Sequence, residues 1–154
     1  MSSLQQRLIT AVVLAGLFVA AVAWVPTMGL ALVFGGVALL AGWEWAALAG
    51  WTHAVARVIY CVCLAIVLLG LWWICYLAAD PKVTQVQPIM GIACLFWPVA
   101  LLQVRQYPRS AWLWRSSIVR SLVGWLMLAA TWLAIMYALS LQNGALLVVL
   151  LVLT

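Results

Sequence analysis

Few residues in this chain could do acid, base, nucleophilic or metal chemistry. There are two carboxylates, Glu44 and Asp80, one histidine, His53, and four cysteines, Cys61, Cys63, Cys75 and Cys94, against seven basic residues. Acid/base catalysis and magnesium sites for nucleotide phosphates call for carboxylates close to the reacting groups. Glu44 and Asp80 stand near opposite ends of two successive apolar segments. If both segments cross a bilayer, the two acids are on the order of 30 Å apart, so they form no pair within one subunit. Cys61 and Cys63 diverge by about 200° on a helix and cannot share a metal ion. All four cysteines lie in apolar surroundings and read as buried thiols rather than as disulfide or metal ligands. His53 sits in a loop with no carboxylate or cysteine nearby in sequence, and reads as a solvated interfacial imidazole. Neither G-x-x-x-x-G-K-[ST] nor G-x-S-x-G occurs. The residues predict no metal site in this chain and no catalytic group.

The elements that must position these residues are membrane helices. Of 154 residues, 70% are hydrophobic and 6% charged, with a mean hydropathy of +1.27, whereas soluble domains are about 25% charged. That excludes a soluble domain and a disordered chain. A charge of +5 spread sparsely over such a sequence sets topology and makes no nucleic-acid groove. The apolar runs predict an all-α, polytopic membrane protein forming a single transmembrane domain, 1–154, with spans at about 8–25, 30–48, 58–79, 88–104 and 122–141. The run 145–154 reads as the start of a sixth span, because ten helical residues reach only about 15 Å. The chain is accordingly expected to be truncated within that span. Pro26, Thr27, Met28 and Gly29 read as the turn after span one, and Pro98 is expected to kink span four unless its freed carbonyl finds a partner. Arg7, the following apolar stretch and Ala21-Val22-Ala23 also imitate a signal peptide, a reading weakened by the spans that remain after cleavage.

Charge predicts the orientation. With the N-terminus in the cytoplasm, Arg7, Arg57, Arg105, Arg109, Arg115 and Arg120 fall inside and only Lys82 falls outside, beside Asp80, as the positive-inside bias requires.

Three features could take part in recognition. Glu44, within Trp43-Glu44-Trp45, is an acid in an apolar helix. It serves either structure, by pairing with a cytoplasmic arginine, or a substrate or partner site. Gly42, Ala46 and Gly50 recur at i, i+4 and i+8, a small-residue stripe that lets another helix approach and offers a route to a homodimer. The segment 105–120 combines four arginines with Tyr107, Trp112 and Trp114, and reads as an interfacial helix on which Trp114, Ile118 and Leu122 share a face. Within it Arg115 and Arg120 are candidates for holding an anionic lipid phosphate.

Three stretches together carry a family resemblance: LQQRLITAVVL at 4–14, WEWAALAG at 43–50, and the loop 107–120 with Trp114, Arg115, Ser116 and Ser117. The chain resembles the N-terminal half of bacterial phosphatidate cytidylyltransferases, the CDP-diacylglycerol synthases. The resemblance implies a multi-pass protein of the bacterial inner membrane in phospholipid biosynthesis. The full enzyme would transfer a cytidylyl group from CTP to phosphatidate with Mg2+, releasing diphosphate. The family's signature, a basic and Asp-rich stretch ending in a His-Gly-Gly and Asp-Arg pattern, belongs to the C-terminal half and does not occur here. No catalytic residue can therefore be carried onto this sequence, and the chain by itself is expected to be inactive and to bind no cofactor. The alternative from the residues alone is a non-enzymatic membrane protein, a scaffold or transporter subunit. Pro98 and the glycines Gly35, Gly36, Gly70 and Gly124 are its only hints.

Overall fold

A computed structural model describes residues 3–76, 83–105, 114–141, 144 and 148–149. Asp80, Lys82, Tyr107, Arg109, Trp112 and nearly all of the run 145–154 lie outside the described residues. Five helices follow in order: α1 (Ser3–Trp24), α2 (Thr27–Leu48), α3 (Ala54–Tyr76), α4 (Val83–Arg105) and α5 (Ser117–Ser140). No strand occurs among the described residues.

Four of these helices are long and apolar enough to cross a membrane, over Thr27–Leu48, Ala54–Cys75, Thr84–Leu102 and Ser117–Ser140. The 22 residues of α2 extend about 33 Å, one hydrocarbon thickness. In α1 the described residues include the apolar stretch Ala15–Trp24.

Several boundaries differ from the expectation. The turn after α1 is tighter than the four residues proposed, because Pro26 begins α2: its carbonyl accepts the Leu30 amide at 3.0 Å. A helix start is where proline's missing N–H costs nothing. Helix α4 begins five residues early and runs through both Pro88 and Pro98. A bilayer-spanning segment keeps its remaining internal hydrogen bonds, since unsatisfied backbone in lipid costs several kcal/mol per group.

The largest change is at α5, which starts at Ser117 instead of 122, so 105–120 is not one interfacial helix. Trp114 and Arg115 form a 3₁₀ turn, and the Ser116 carbonyl accepts the Arg120 amide at 3.2 Å, which makes Ser116 the N-cap, a role serine suits. Arg120 is thus in the first turns of a spanning helix, and Trp114 precedes the helix that carries Ile118 and Leu122.

The chain divides into two compact units, Met1–Val33 with Ile135–Thr154, and Phe34–Ala134. In the first, α1 continues to Val25, whose amide donates to the Ala21 carbonyl. The second holds most of α2 and α5 with all of α3 and α4. Its core is made of Ala46, Leu64, Cys75, Val86 and Leu133, each at most 2% exposed. Trp72 packs on Trp132 with ring centroids 6.2 Å apart, and α3 approaches α4. Only 6% of the α4 span is buried against 33% for α5, so α4 is the least buried of the four spanning helices.

Candidate functional site

The sequence concentrates its polar groups where α2 ends, α3 begins and α5 begins, and the fold brings these three ends together. Helix α2 terminates in a Schellman motif. The Trp51 amide donates to the Ala46 carbonyl at 3.0 Å and the Gly50 amide to the Ala47 carbonyl at 3.0 Å, with Gly50 at φ +99°. Glycine reaches that conformation without strain. His53 is exposed, and its carbonyl accepts the Arg57 amide at 3.2 Å, opening α3.

Tryptophan N–H groups tie α5 to this end. Trp45 Nε1 donates to the Arg120 carbonyl at 2.8 Å, and Trp51 Nε1 donates to Ser121 Oγ at 2.8 Å. Ser121 Oγ donates in turn to the Ser117 carbonyl at 2.8 Å, and the Tyr60 hydroxyl reaches the Ser121 carbonyl at 3.4 Å. Tyr60 also packs on Trp125, centroid to centroid 5.5 Å. The approach depends on Gly124: any Cβ there would enter the space of the Trp45 indole and the Tyr60 hydroxyl.

The arginines at this end are held differently. Arg57 Nε donates to the Trp51 carbonyl at 3.0 Å, and its guanidinium lies 5.4 Å from the Trp43 ring centroid, within cation–π range. Arg120 Nη2 donates to Ser117 Oγ at 3.2 Å, while its Nε is buried without a hydrogen-bond partner. Arg115 is exposed and has no polar partner among the described residues. Of the two arginines proposed for lipid phosphate, Arg115 is open, and Arg120 is half-buried against the α2 cap.

Glu44 is exposed on α2 and makes no ion pair among the described residues. The small-residue stripe has two roles. Gly42 and Ala46 are buried in the helix contact, where a Cβ on Gly42 would meet Leu64 Cδ2 at 2.7 Å. Gly50 lies past the helix end as its cap. Cys61 Sγ donates to the Leu39 carbonyl at 3.7 Å on the α2 side, while Cys63 lines a groove between α3 and α5, so the two thiols do diverge.

That groove has a volume of about 410 Å³ and opens outward, with Trp51, Tyr60 and Ser121 among its lining residues. It is the feature that sequence reasoning missed, since no periodicity reports which helix faces remain apart. The Trp51–Ser121 bond was equally hidden, joining residues 70 positions apart in sequence.

Gly50→Ala is expected to lower stability by about 1–2 kcal/mol, because the new side chain must hold a positive φ. It would also meet Arg120 Nη2 and Ser117 Oγ, each at 3.1 Å. Thermal unfolding in detergent measures this, and a midpoint equal to the parent's would contradict the capping role.

Comparison with known proteins finds curated relatives. The chain is 30% identical over 148 residues to phosphatidate cytidylyltransferase of Pseudomonas aeruginosa, a match taking in 95% of this chain. It spans about half of that relative, 52% of its length, consistent with an N-terminal half. No protein-family model and no solved structure matches.

Proposed function

We propose that this chain is the N-terminal membrane portion of a phosphatidate cytidylyltransferase of the bacterial inner membrane, and that it serves the lipid side of the reaction. The observation that carries the reading is the match over 95% of the chain to a protein of that name. The geometry supports it through the arginines. Arg57, Arg115 and Arg120 stand at one end of α2, α3 and α5, which the positive-inside bias assigns to the cytoplasm. With the N-terminus in the cytoplasm, the orientation this reading takes from the charge bias, they would lie in the leaflet where CTP is accessible.

In this reading Arg115 takes the phosphatidate phosphate by charge-assisted hydrogen bonds. Arg120 backs it with positive charge and one unused N–H. CTP and Mg2+ are engaged by residues other than those of this chain. Glu44 stands alone on α2, and no group of three or more His, Cys, Asp or Glu among the described residues could hold a metal ion. When bound elsewhere in the enzyme, Mg2+ would neutralise the diphosphate leaving group. By itself the chain binds lipid and does not catalyse.

Titration of the detergent-solubilised chain with dioctanoyl phosphatidate, followed by tryptophan fluorescence, tests this. Saturable binding is expected, weakened on the order of tenfold by Arg115→Ala, the cost of one hydrogen bond to a charged group. Equal affinity for phosphatidate and the matching phosphatidylcholine would overturn the reading.

A further inference from the structure

The groove between α3 and α5 has a definite depth and place. Ala56, Ile59 and Cys63 form its α3 wall, and Ile118, Leu122 and Trp125 its α5 wall. Seven steps along each helix, from Ala56 to Cys63 and from Ile118 to Trp125, at 1.5 Å apiece give a length of roughly 10 Å parallel to the spans. Both walls belong to helices apolar and long enough to cross the bilayer. The groove therefore runs from one membrane boundary, beside the Trp51 to Ser121 hydrogen bond, toward the midplane.

Its chemistry is divided sharply. The lining offers no polar surface, so nothing in it could orient a headgroup or a polar helix. At its boundary end stands Arg115, exposed and three positions before Ile118, with Arg57 and Arg120 one position from the lining residues Ala56 and Ser121. Positive charge above a dry slot complements a molecule with an anionic head and a thin apolar tail. The groove, about 410 Å³, has room for an acyl chain.

We propose that this groove seats one acyl chain of phosphatidate while Arg115 holds its phosphate, a proposal that rests on the lipid-binding reading above. The headgroup supplies the preference, because a lipid tail gains no hydrophobic free energy on moving from bilayer to groove. The groove decides where the tail lies, and so how the phosphate is presented.

The full 154-residue chain, in nanodiscs of phosphatidylcholine with a trace of phosphatidate bearing a diazirine on one acyl chain, is irradiated and the adducts are mapped by peptide mass spectrometry. Labelling at Ile59, Cys63 and Leu122 is expected to exceed that at Ile92 and Leu95 of α4 about tenfold, matching the headgroup preference. The α4 positions are exposed and report ordinary lipid contact. Ala56→Trp and, independently, Cys63→Phe should each abolish the excess by filling the groove, with thermal unfolding in detergent showing that each variant is folded. Equal labelling of groove and α4, with phosphatidate binding at Arg115 intact, overturns the groove and leaves the proposed function standing. Loss of phosphatidate binding together with the groove excess in the parent chain overturns both. An equal groove excess from a diazirine phosphatidylcholine overturns the assignment to phosphatidate.

Discussion

Incubated with CTP, phosphatidate and Mg2+ in detergent, the 154-residue chain is expected to form no CDP-diacylglycerol above a vector control. The reason is electrostatic. Cytidylyl transfer builds charge on phosphate and diphosphate oxygens, and proteins meet that charge with carboxylate-held magnesium and clamped cations. The chain has the cations but only two carboxylates. Among the described residues Glu44, about one turn from the end of α2, is the only carboxylate, and Asp80 lies outside them. Turnover would require acids from two copies to meet, and would show as activity rising with the square of protein concentration. Any such product, absent from a vector control, would refute the assignment of catalysis to residues outside this chain.

Gly124→Ala is expected to destabilise the protein by about 2–3 kcal/mol, although alanine is the better helix former by about 1 kcal/mol. The sign reverses because the added methyl falls where the Trp45 indole and the Tyr60 hydroxyl now lie. Overpacking of a close helix contact costs about 1–3 kcal/mol, and displacing the indole also removes its hydrogen bond to the Arg120 carbonyl, worth about 1 kcal/mol. Gly36→Ala and Gly70→Ala supply the comparison. Nothing lies within 4 Å of a Cβ at either position, so both should raise the unfolding midpoint while Gly124→Ala lowers it. Identical shifts at all three would mean that α2, α3 and α5 do not pack through Gly124.

The contrast among these glycines shows where sequence reading stops. Gly36, Gly70 and Gly124 all sit in apolar helices, and equally suggested weak points in a span. Only the crossing of α2 and α3 over α5 makes Gly124 an obligatory gap. The stripe Gly42, Ala46, Gly50 was legible as helical spacing, yet α2 stops at Leu48, so its third member became a cap. Arg120 was legible as a cation near the membrane boundary. That its guanidinium would be half-buried against Ser117 and Gly50, while Arg115 remains open, depended on the N-cap at Ser116.

What the sequence determined by itself was the helical, membrane-spanning character, the scarcity of catalytic groups and the order of its arginines along the chain. Each follows from composition or from order along one chain, because the bilayer forces any long apolar run to satisfy its own backbone as a helix. The tertiary structure decided the Trp45 and Trp51 hydrogen bonds to α5, the difference between Arg115 and Arg120, and the dry groove between α3 and α5. Those depend on which side chains meet across tens of residues of sequence. In lipid, where apolar faces are all equally soluble, that choice falls to close packing and to a few hydrogen bonds that hydropathy does not encode.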